Sequence, residues 1–185
     1  YPLPEGEPIA LTLDVDAYMS EQRTAGLIIV QDGRVRLEKY GLDFDATGRW
    51  TSFSVAKSIT STLVGAAIKD GYIMKGSVYD DVSIRQLLTM TSGARWNEDY
   101  EDRSSDVALF NEHKPEPGID ATVSYMRALS REAPAGKKWV YKTGETNLIG
   151  VLVSSATGMS LSDYLSQKIW APFGMEQDAS WLLSN

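Results

Sequence analysis

The stretch FSVAKSITSTLVGAAI, residues 53–68, places a serine three positions before a lysine at the front of an apolar run. Side chains at positions i and i+3 of a helix share one face, with their Cβ atoms about 5–6 Å apart, so Ser54 and Lys57 are predicted to meet. A nucleophilic serine needs a base within hydrogen-bond reach, and a helix N-terminus favours a developing oxyanion. The stretch therefore predicts a helix that carries a nucleophile and its base.

The environment predicted for Lys57 favours a neutral amine, the form that acts as a base. We expect Phe53, Ile59 and Trp50 to bury this lysine, and burial disfavours its charged form. The pair alone is a weak signal, because the solvated start of an ordinary core helix gives the same spacing. The rest of the chain has to decide between the two interpretations.

The composition indicates one globular domain. A length of 185 residues with 43% hydrophobic residues is ample for one core and short for two independent domains. The formal net charge of -7 argues against a nucleic-acid partner. With no cysteine, disulfides, thiolate metal sites and cysteine nucleophiles are excluded. No apolar run approaches the roughly 18 residues of a membrane span, so we expect a soluble protein, with the cytoplasm slightly favoured over the periplasm or secretion.

Local patterns predict one hairpin and several helices. Two strand-like runs in 25–41 flank Asp32-Gly33, a strong turn signal. Helical patterns cover 54–69 with Gly71 as the stop just beyond the end, 83–93 with Ser83 as N-cap, 105–111, 120–130, a segment ending at Gly158 and a last one stopped at Pro172. The stretch between Gly93 and 120 has no clear period and is interpreted as a long, functional loop.

Three ordered pieces carry a family resemblance: SFSVAKSIT (52–60), VSIRQLLTMTSG (82–93) and PAGKKWVYKTGETNLIGVLVSSATGMSLSDYLSQKIWAPFGM (134–175). The chain resembles the serine β-lactamase and penicillin-binding-protein superfamily, in its branch of class C β-lactamase-like esterases and 6-aminohexanoate-oligomer hydrolases. The resemblance implies an α/β (α+β) fold in which helices flank an antiparallel sheet. It also implies that residues 1–185 are part of a single β-lactamase-like domain with a helical subdomain at about 75–140.

The resemblance also implies roles for three residues. Ser54 would be the acylated nucleophile, Lys57 its base or proton relay, and Tyr141 the tyrosine of the family's Tyr-x-Asn or Tyr-x-Ser motif. This chain has Thr143 at the third position, which keeps a substrate-binding hydroxyl but loses the amide contact of β-lactamases. No cofactor is required. Without the surrounding pattern, Tyr141 would be interpreted as one more strand aromatic beside Trp139.

Lys142-Thr143-Gly144 spells the superfamily's third motif, which belongs on an edge strand well after the tyrosine. Here the three residues follow Tyr141 directly and run into an apolar helix, so we interpret the match as coincidental. The true third motif is then expected outside these residues. The sequence therefore predicts part of a larger enzyme, completed by a C-terminal part or by a second polypeptide.

The loop after the TSG turn offers candidates for the substrate pocket. In the resembling hydrolases this segment overhangs the active site, so the resemblance implies that Trp96 and Tyr100 contact the substrate from a lid, with simple packing onto the body as the alternative. The acids between and after them are interpreted as a solvated rim that suits a substrate with a free amino group: Glu98, Asp99, Glu101 and Asp102. Their spacing lacks the glycine and order of an EF-hand, so no metal site is expected.

His113 is the single histidine, so a Ser-His-Asp triad would have to use it. It lies in the charged segment NEHKPEPG and is interpreted as a solvated loop histidine. The function predicted is a serine hydrolase acting through an acyl-enzyme on small carboxylic esters or linear amides. The alternatives are a β-lactamase or D,D-peptidase, and a noncatalytic penicillin-binding-like sensor or assembly protein.

Overall fold

The computed structural model describes residues 2–69 and 82–181, which divide into two compact units. The first unit holds the residues up to Ser52 and those from Phe173 onward, and the second is Phe53–Pro172. The first contains α1 (Val15–Glu21), β1 (Gly26–Gln31) and β2 (Arg34–Tyr40). The second contains α2 (Ala56–Lys69), α3 (Ile84–Leu88), α4 (Asp106–Glu112), α5 (Ala121–Met126), α6 (Thr143–Thr157) and α7 (Leu161–Leu165).

The predicted hairpin is confirmed in the first unit. β1 and β2 pair antiparallel, and the turn uses Asp32 and Gly33 with φ of 53° and 72°, as a tight hairpin turn requires. On its other side β2 meets the N-terminal segment, because the Val35 N–H donates to Pro4 O at 3.0 Å. Among the described residues the sheet has these two strands.

The core of the second unit is built around α6. Helix α6 packs against α2, α3, α4, α5 and α7. The buried side chains that form this core include Leu63 and Val64 of α2, Leu148, Ile149 and Val153 of α6, and Tyr164 of α7. Each such aliphatic side chain stabilises the fold by about 1.5–3 kcal/mol relative to exposure. Gly158, with φ of 68°, ends α6 as predicted.

The predicted helices differ from the observed ones mainly at their ends. Residues 53–55 form a 3₁₀ turn, and Val55 is 69% exposed, so the buried stripe of α2 begins at Ile59. Helix α3 has the predicted Ser83 cap but ends at Leu88, well before Gly93. The predicted helix stop at Gly71 lies outside the described residues. A separate helical subdomain at about 75–140 stays a prediction.

The turn at Gly93 joins α3 to the long loop and explains why a glycine is needed there. Its φ is +81°, and its carbonyl accepts the N–H groups of Glu132 and Ala133 at 2.8 and 3.1 Å. A Cβ at this position would lie 1.9 Å from the Ala133 carbonyl oxygen. Both the backbone conformation and the space therefore exclude a side chain.

We expect Gly93→Ala to lower the free energy of unfolding by about 3 kcal/mol or more, since it combines a left-handed φ with a backbone clash. Gly118→Ala is the matched control, because Gly118 has φ of +78° and a methyl group added there would meet nothing within 4 Å. Urea unfolding of the two variants measures the difference. Equal losses would show that the close approach at Gly93 is not energetically important.

Candidate active site

Ser54 and Lys57 lie within hydrogen-bond reach of each other, as their spacing predicts. Ser54 is in the 3₁₀ turn Phe53–Val55 that leads into α2, and Lys57 is the second residue of the helix. The Lys57 Nζ donates to the Ser54 Oγ at 3.2 Å. Ser54 is exposed and Lys57 is half-buried. The pair therefore joins an accessible hydroxyl to a group that can take its proton.

The predicted burial of Lys57 by large neighbours is wrong in part. Phe53 and Trp50 are themselves 79% and 65% exposed, and among the three expected residues only Ile59 packs against the core. Phe53 also has φ of 44°, in the left-handed region that costs a non-glycine residue about 1–3 kcal/mol. The backbone is thus strained at the residue directly before Ser54.

Tyr141 joins the pair from a distant part of the chain. It lies two residues before α6, and the Lys57 Nζ is 5.2 Å from the centroid of its ring, in a cation–π arrangement. Ser54, Lys57 and Tyr141 are therefore brought together, as the family pattern predicts. The Lys57 Nζ contacts both the serine hydroxyl and the phenol ring.

Glu98 organises the start of α6, and sequence reasoning missed it. One carboxylate oxygen accepts the Thr143 hydroxyl and the Tyr100 O–H, the latter at 2.7 Å. The other accepts the Thr143 backbone N–H at 2.9 Å and the Trp96 indole N–H. Because Lys142, the N-cap residue, supplies no side-chain cap, Glu98 satisfies an otherwise unpaired helix N–H. The interpretation of Glu98 as a solvated rim acid is wrong.

The hydrogen bonds to Glu98 set its charge. Burial raises the pKa of the Glu98 carboxyl, but the donors from Thr143, Tyr100 and Trp96 outweigh burial and hold the pKa below its usual value. For Tyr100, the hydrogen bond with Thr143 lowers the pKa of the phenol. The Glu98 carboxylate and burial raise it by more, so the net pKa is raised. Glu98 is therefore an anion at neutral pH.

Trp96 and Tyr100 occupy different environments. Trp96 is 6% exposed and lies edge-on to Phe110 and Tyr125, with ring centroids 6.1 and 6.2 Å apart. Of its two predicted roles, packing onto the body is the one that these contacts support. Tyr100 is 70% exposed, and the charge of Tyr141 contributes to its raised pKa. Tyr100 thus keeps a free surface near Tyr141.

His113 is a packed residue, and its interpretation as a solvated loop histidine is wrong. It follows α4 and is half-buried, its Nε2 lies 2.8 Å from the Ser124 Oγ, and its ring is edge-on to Tyr125 at 5.3 Å. Burial, with the Asp106 hydrogen bond and charge, raises the pKa of Tyr125 to about 12. The sequence carries no local signal for this packing, because the partners Ser124 and Tyr125 lie 11 and 12 positions further along the chain.

Lys142 lies at the start of a helix, which confirms that the Lys-Thr-Gly match is not the strand motif. Helix α6 begins at Thr143. The Lys142 side chain is fully buried, and its Nζ is 3.6 Å from a carboxylate oxygen of Glu145, which is fully buried too. Burial raises the pKa of Glu145, although the Ser92 hydroxyl and Lys142 act in the opposite direction.

Metal-binding and membrane-spanning features are both missing from the described part of the chain. No group of three His, Asp or Glu side chains there is placed to hold a metal ion. Across 2–69 and 82–181, no single helix has the length and apolar character to cross a membrane. Thr143–Thr157 and Leu161–Trp170 meet that test together, but a 77° bend separates them.

The mixed α/β fold, with helices and a small antiparallel sheet, and the Ser54–Lys57 pair define a protein of the serine β-lactamase type. Comparison with known families agrees: the Beta-lactamase family matches residues 14–182. The chain belongs to this family.

The chain is also similar to individual proteins and solved structures. It is 28% identical over 184 residues to the 6-aminohexanoate-dimer hydrolase of Paenarthrobacter ureafaciens, covering 90% of this chain and 47% of the relative. A Bacillus anthracis structure assigned as a 6-aminohexanoate-dimer hydrolase aligns with a TM-score of 0.73 at 16% identity, over 95% of this chain and 54% of its own. A class C beta-lactamase in complex with cefoxitin aligns with a TM-score of 0.61 at 20% identity, over 88% and 48%. The chain thus spans about half the length of these relatives.

We expect Glu98→Gln to lower the free energy of unfolding at pH 7 by about 1–2 kcal/mol, because it removes the charge that four donors address. The native pKa of Glu98 is depressed, so its stabilisation is present above the unfolded pKa near 4.5 and is lost as the pH falls through the native value. The deficit of the variant should therefore shrink between pH 5 and strongly acidic solution.

Urea unfolding at a series of pH values measures this deficit. Glu101→Gln is the matched control, since Glu101 is an exposed acid of the same loop. A deficit for Glu98→Gln that is independent of pH, or equal to that of the control, would contradict the assigned role of Glu98.

Proposed function

We propose that this chain carries the nucleophile and base of a serine hydrolase that acts through an acyl-enzyme on small carboxylic esters or linear amides. The observation that supports it is the contact of 3.2 Å between the Lys57 Nζ and the Ser54 Oγ, with the Tyr141 ring against the same Nζ. This geometry favours a catalytic protein over the noncatalytic sensor, which needs neither an accessible serine nor a base beside it.

In the first half of the reaction, the Ser54 Oγ attacks the carbonyl carbon and its proton passes to the Lys57 Nζ. The tetrahedral intermediate then collapses, the bond to the leaving oxygen or nitrogen breaks, and Tyr141 delivers its phenolic proton to that atom and regains a proton from Lys57. In the second half, water attacks the acyl carbon and Ser54 is released with its proton restored. Ester or amide plus water becomes acid plus alcohol or amine.

The helix backbone also favours the negative charge that develops on the substrate in this reaction. Helix α2 begins at Ala56, directly after the turn that holds Ser54, and α6 begins two residues after Tyr141. The first N–H groups of a helix are unpaired and carry a partial positive charge. The N-terminus of α2 therefore stabilises the negative charge that develops on the carbonyl oxygen, whereas the first N–H of α6 is already bound to the Glu98 carboxylate.

Linear amides with a free amino group are the substrate class that charge favours. The net charge is -7, and after Glu98 is committed to Thr143 the loop still exposes Asp99 and Glu101. An acidic rim attracts an ammonium group and repels the carboxylate of a β-lactam. The name of the Paenarthrobacter relative, a hydrolase of the 6-aminohexanoate dimer, agrees with this class.

We expect Ser54→Ala to lower the rate of p-nitrophenyl butyrate hydrolysis by about 1,000-fold or more, because no other hydroxyl replaces the nucleophile. Ser58→Ala is the matched control, since Ser58 is exposed one turn further along α2. Steady-state kinetics with equal circular dichroism spectra measure the effect. Activity that survives in Ser54→Ala but falls in Ser58→Ala would overturn the assignment.

The substrate class is tested by two reactions on the same preparation. We expect release of 6-aminohexanoate from its linear dimer to exceed turnover of nitrocefin in kcat/KM, because Thr143 lacks the amide contact of β-lactamases and the rim is acidic. Chromatographic detection of the free amine and the absorbance of opened nitrocefin give the two rates. Faster nitrocefin turnover would favour the β-lactamase alternative.

A further inference from the structure

The backbone around Tyr141 is tied to one residue at the end of α3. The Val140 N–H donates to the Met90 carbonyl at 3.2 Å, and the Lys142 N–H donates to the Met90 Sδ at 3.4 Å. The residues on both sides of Tyr141 therefore bind the same partner, which lies about fifty positions earlier in the chain.

The Lys142 side chain adds further hydrogen bonds between the same two backbone segments. Its Nζ donates to the Met90 carbonyl at 3.5 Å and to the Val140 carbonyl at 3.4 Å. The side chain thus folds back to the peptide unit before Tyr141 and joins it to Met90, whose Sδ accepts the N–H of the peptide unit after Tyr141. An ammonium with three donors suits this task, since it serves two carbonyls and an acid at once.

Met90 is held in a costly conformation. Its φ is 54°, in the left-handed region, although it is neither glycine nor asparagine. Such strain persists where the surroundings determine the backbone, and it clusters at functional sites. The carbonyl of this strained residue accepts hydrogen bonds from both Val140 and Lys142.

The buried charge of Lys142 is compensated by Glu145. Both side chains are fully buried, the Ser92 hydroxyl donates to one Glu145 oxygen, and the other oxygen has no hydrogen-bond partner among the described residues. Replacing a buried ion pair by apolar residues is often neutral or stabilising, so stability alone is a weak reason for this pair. A positional role gives the pair a reason to be charged.

We propose that Lys142 is a positioning residue for the reaction. Its ammonium, bound to the carbonyls of Met90 and Val140 and countered by Glu145, ties the peptide unit before Tyr141 to Met90 and so holds the phenol ring at Lys57. This inference rests on the proposed function. It goes beyond the family pattern, which assigns the position after the tyrosine no part in the chemistry.

The proposal predicts an effect that depends on the leaving group. Tyr141 delivers a proton to the departing atom, an amine needs that proton, and p-nitrophenolate leaves without it. A displaced Tyr141 therefore slows amide cleavage much more than nitrophenyl ester cleavage. A general loss of folded protein lowers both rates by the same factor.

The test uses the full chain with Lys142→Met and Glu145→Gln combined, so that no uncompensated buried charge is created. We expect kcat for the linear 6-aminohexanoate dimer to fall by about 100-fold, the cost of a misplacement near 1 Å, and kcat for p-nitrophenyl butyrate to fall far less. Lys138→Met is the matched control, because this lysine of the same segment is exposed and pairs with Glu132 at 2.5 Å.

The outcomes separate the inference from the proposed function. The positioning role is overturned if kcat of the double variant falls by the same factor for both substrates, or does not change. This outcome leaves the proposed function intact as long as Ser54→Ala and Tyr141→Phe are inactive on the amide. Activity retained in Ser54→Ala overturns the proposed function instead.

A second measurement needs neither substrate nor a folded variant. In the wild-type chain, we expect the amide hydrogens of Val140 and Lys142 to exchange as slowly as those of the α6 core, because both are bonded to Met90. Fast exchange of these two amides, with a protected α6, overturns the proposal even if the double variant fails to fold.

Discussion

Packing of α2 against α6 is the interaction on which the candidate site depends. Ser54 and Lys57 stand at the start of one helix and Tyr141 directly before the other, so the three meet only when the helices do. The side chains that bury this contact are 2% exposed or less: Leu63, Val64, Leu148 and Ile149. The positive N-terminal dipole of α2 lies directly beside the serine. Apolar packing of the two helices thus brings the three candidate catalytic side chains together.

Polar contacts then refine what the packing brings together. Glu98 binds the first residue of α6 from the long loop, and the end of α3 binds the two residues that flank Tyr141. In each contact a buried or half-buried charged side chain restrains a backbone segment that apolar packing alone would leave free to move. The start of α6 is therefore held from two sides.

The parts that sequence predicted are those with local signals. Asp32-Gly33 specifies its turn, Gly158 ends α6, and the spacing of Ser54 and Lys57 on successive turns places them together. Glu98 resembles its acidic neighbours in sequence, because the signal for its role is Thr143, 45 positions away. Part of the burial expected for Lys57 is missing because Phe53 lies in the 3₁₀ turn before α2 and is itself exposed.

The central claim is that the Ser54 Oγ is the nucleophile of the reaction and that Lys57 activates it. Mass spectrometry of the chain after incubation with a fluorophosphonate, followed by peptide mapping, tests it directly. We expect one adduct per chain, on Ser54, and its loss when Lys57 is replaced by methionine, because the hydroxyl then lacks its base. An adduct on another serine, or labelling of Ser54 that is unchanged without Lys57, would contradict this claim.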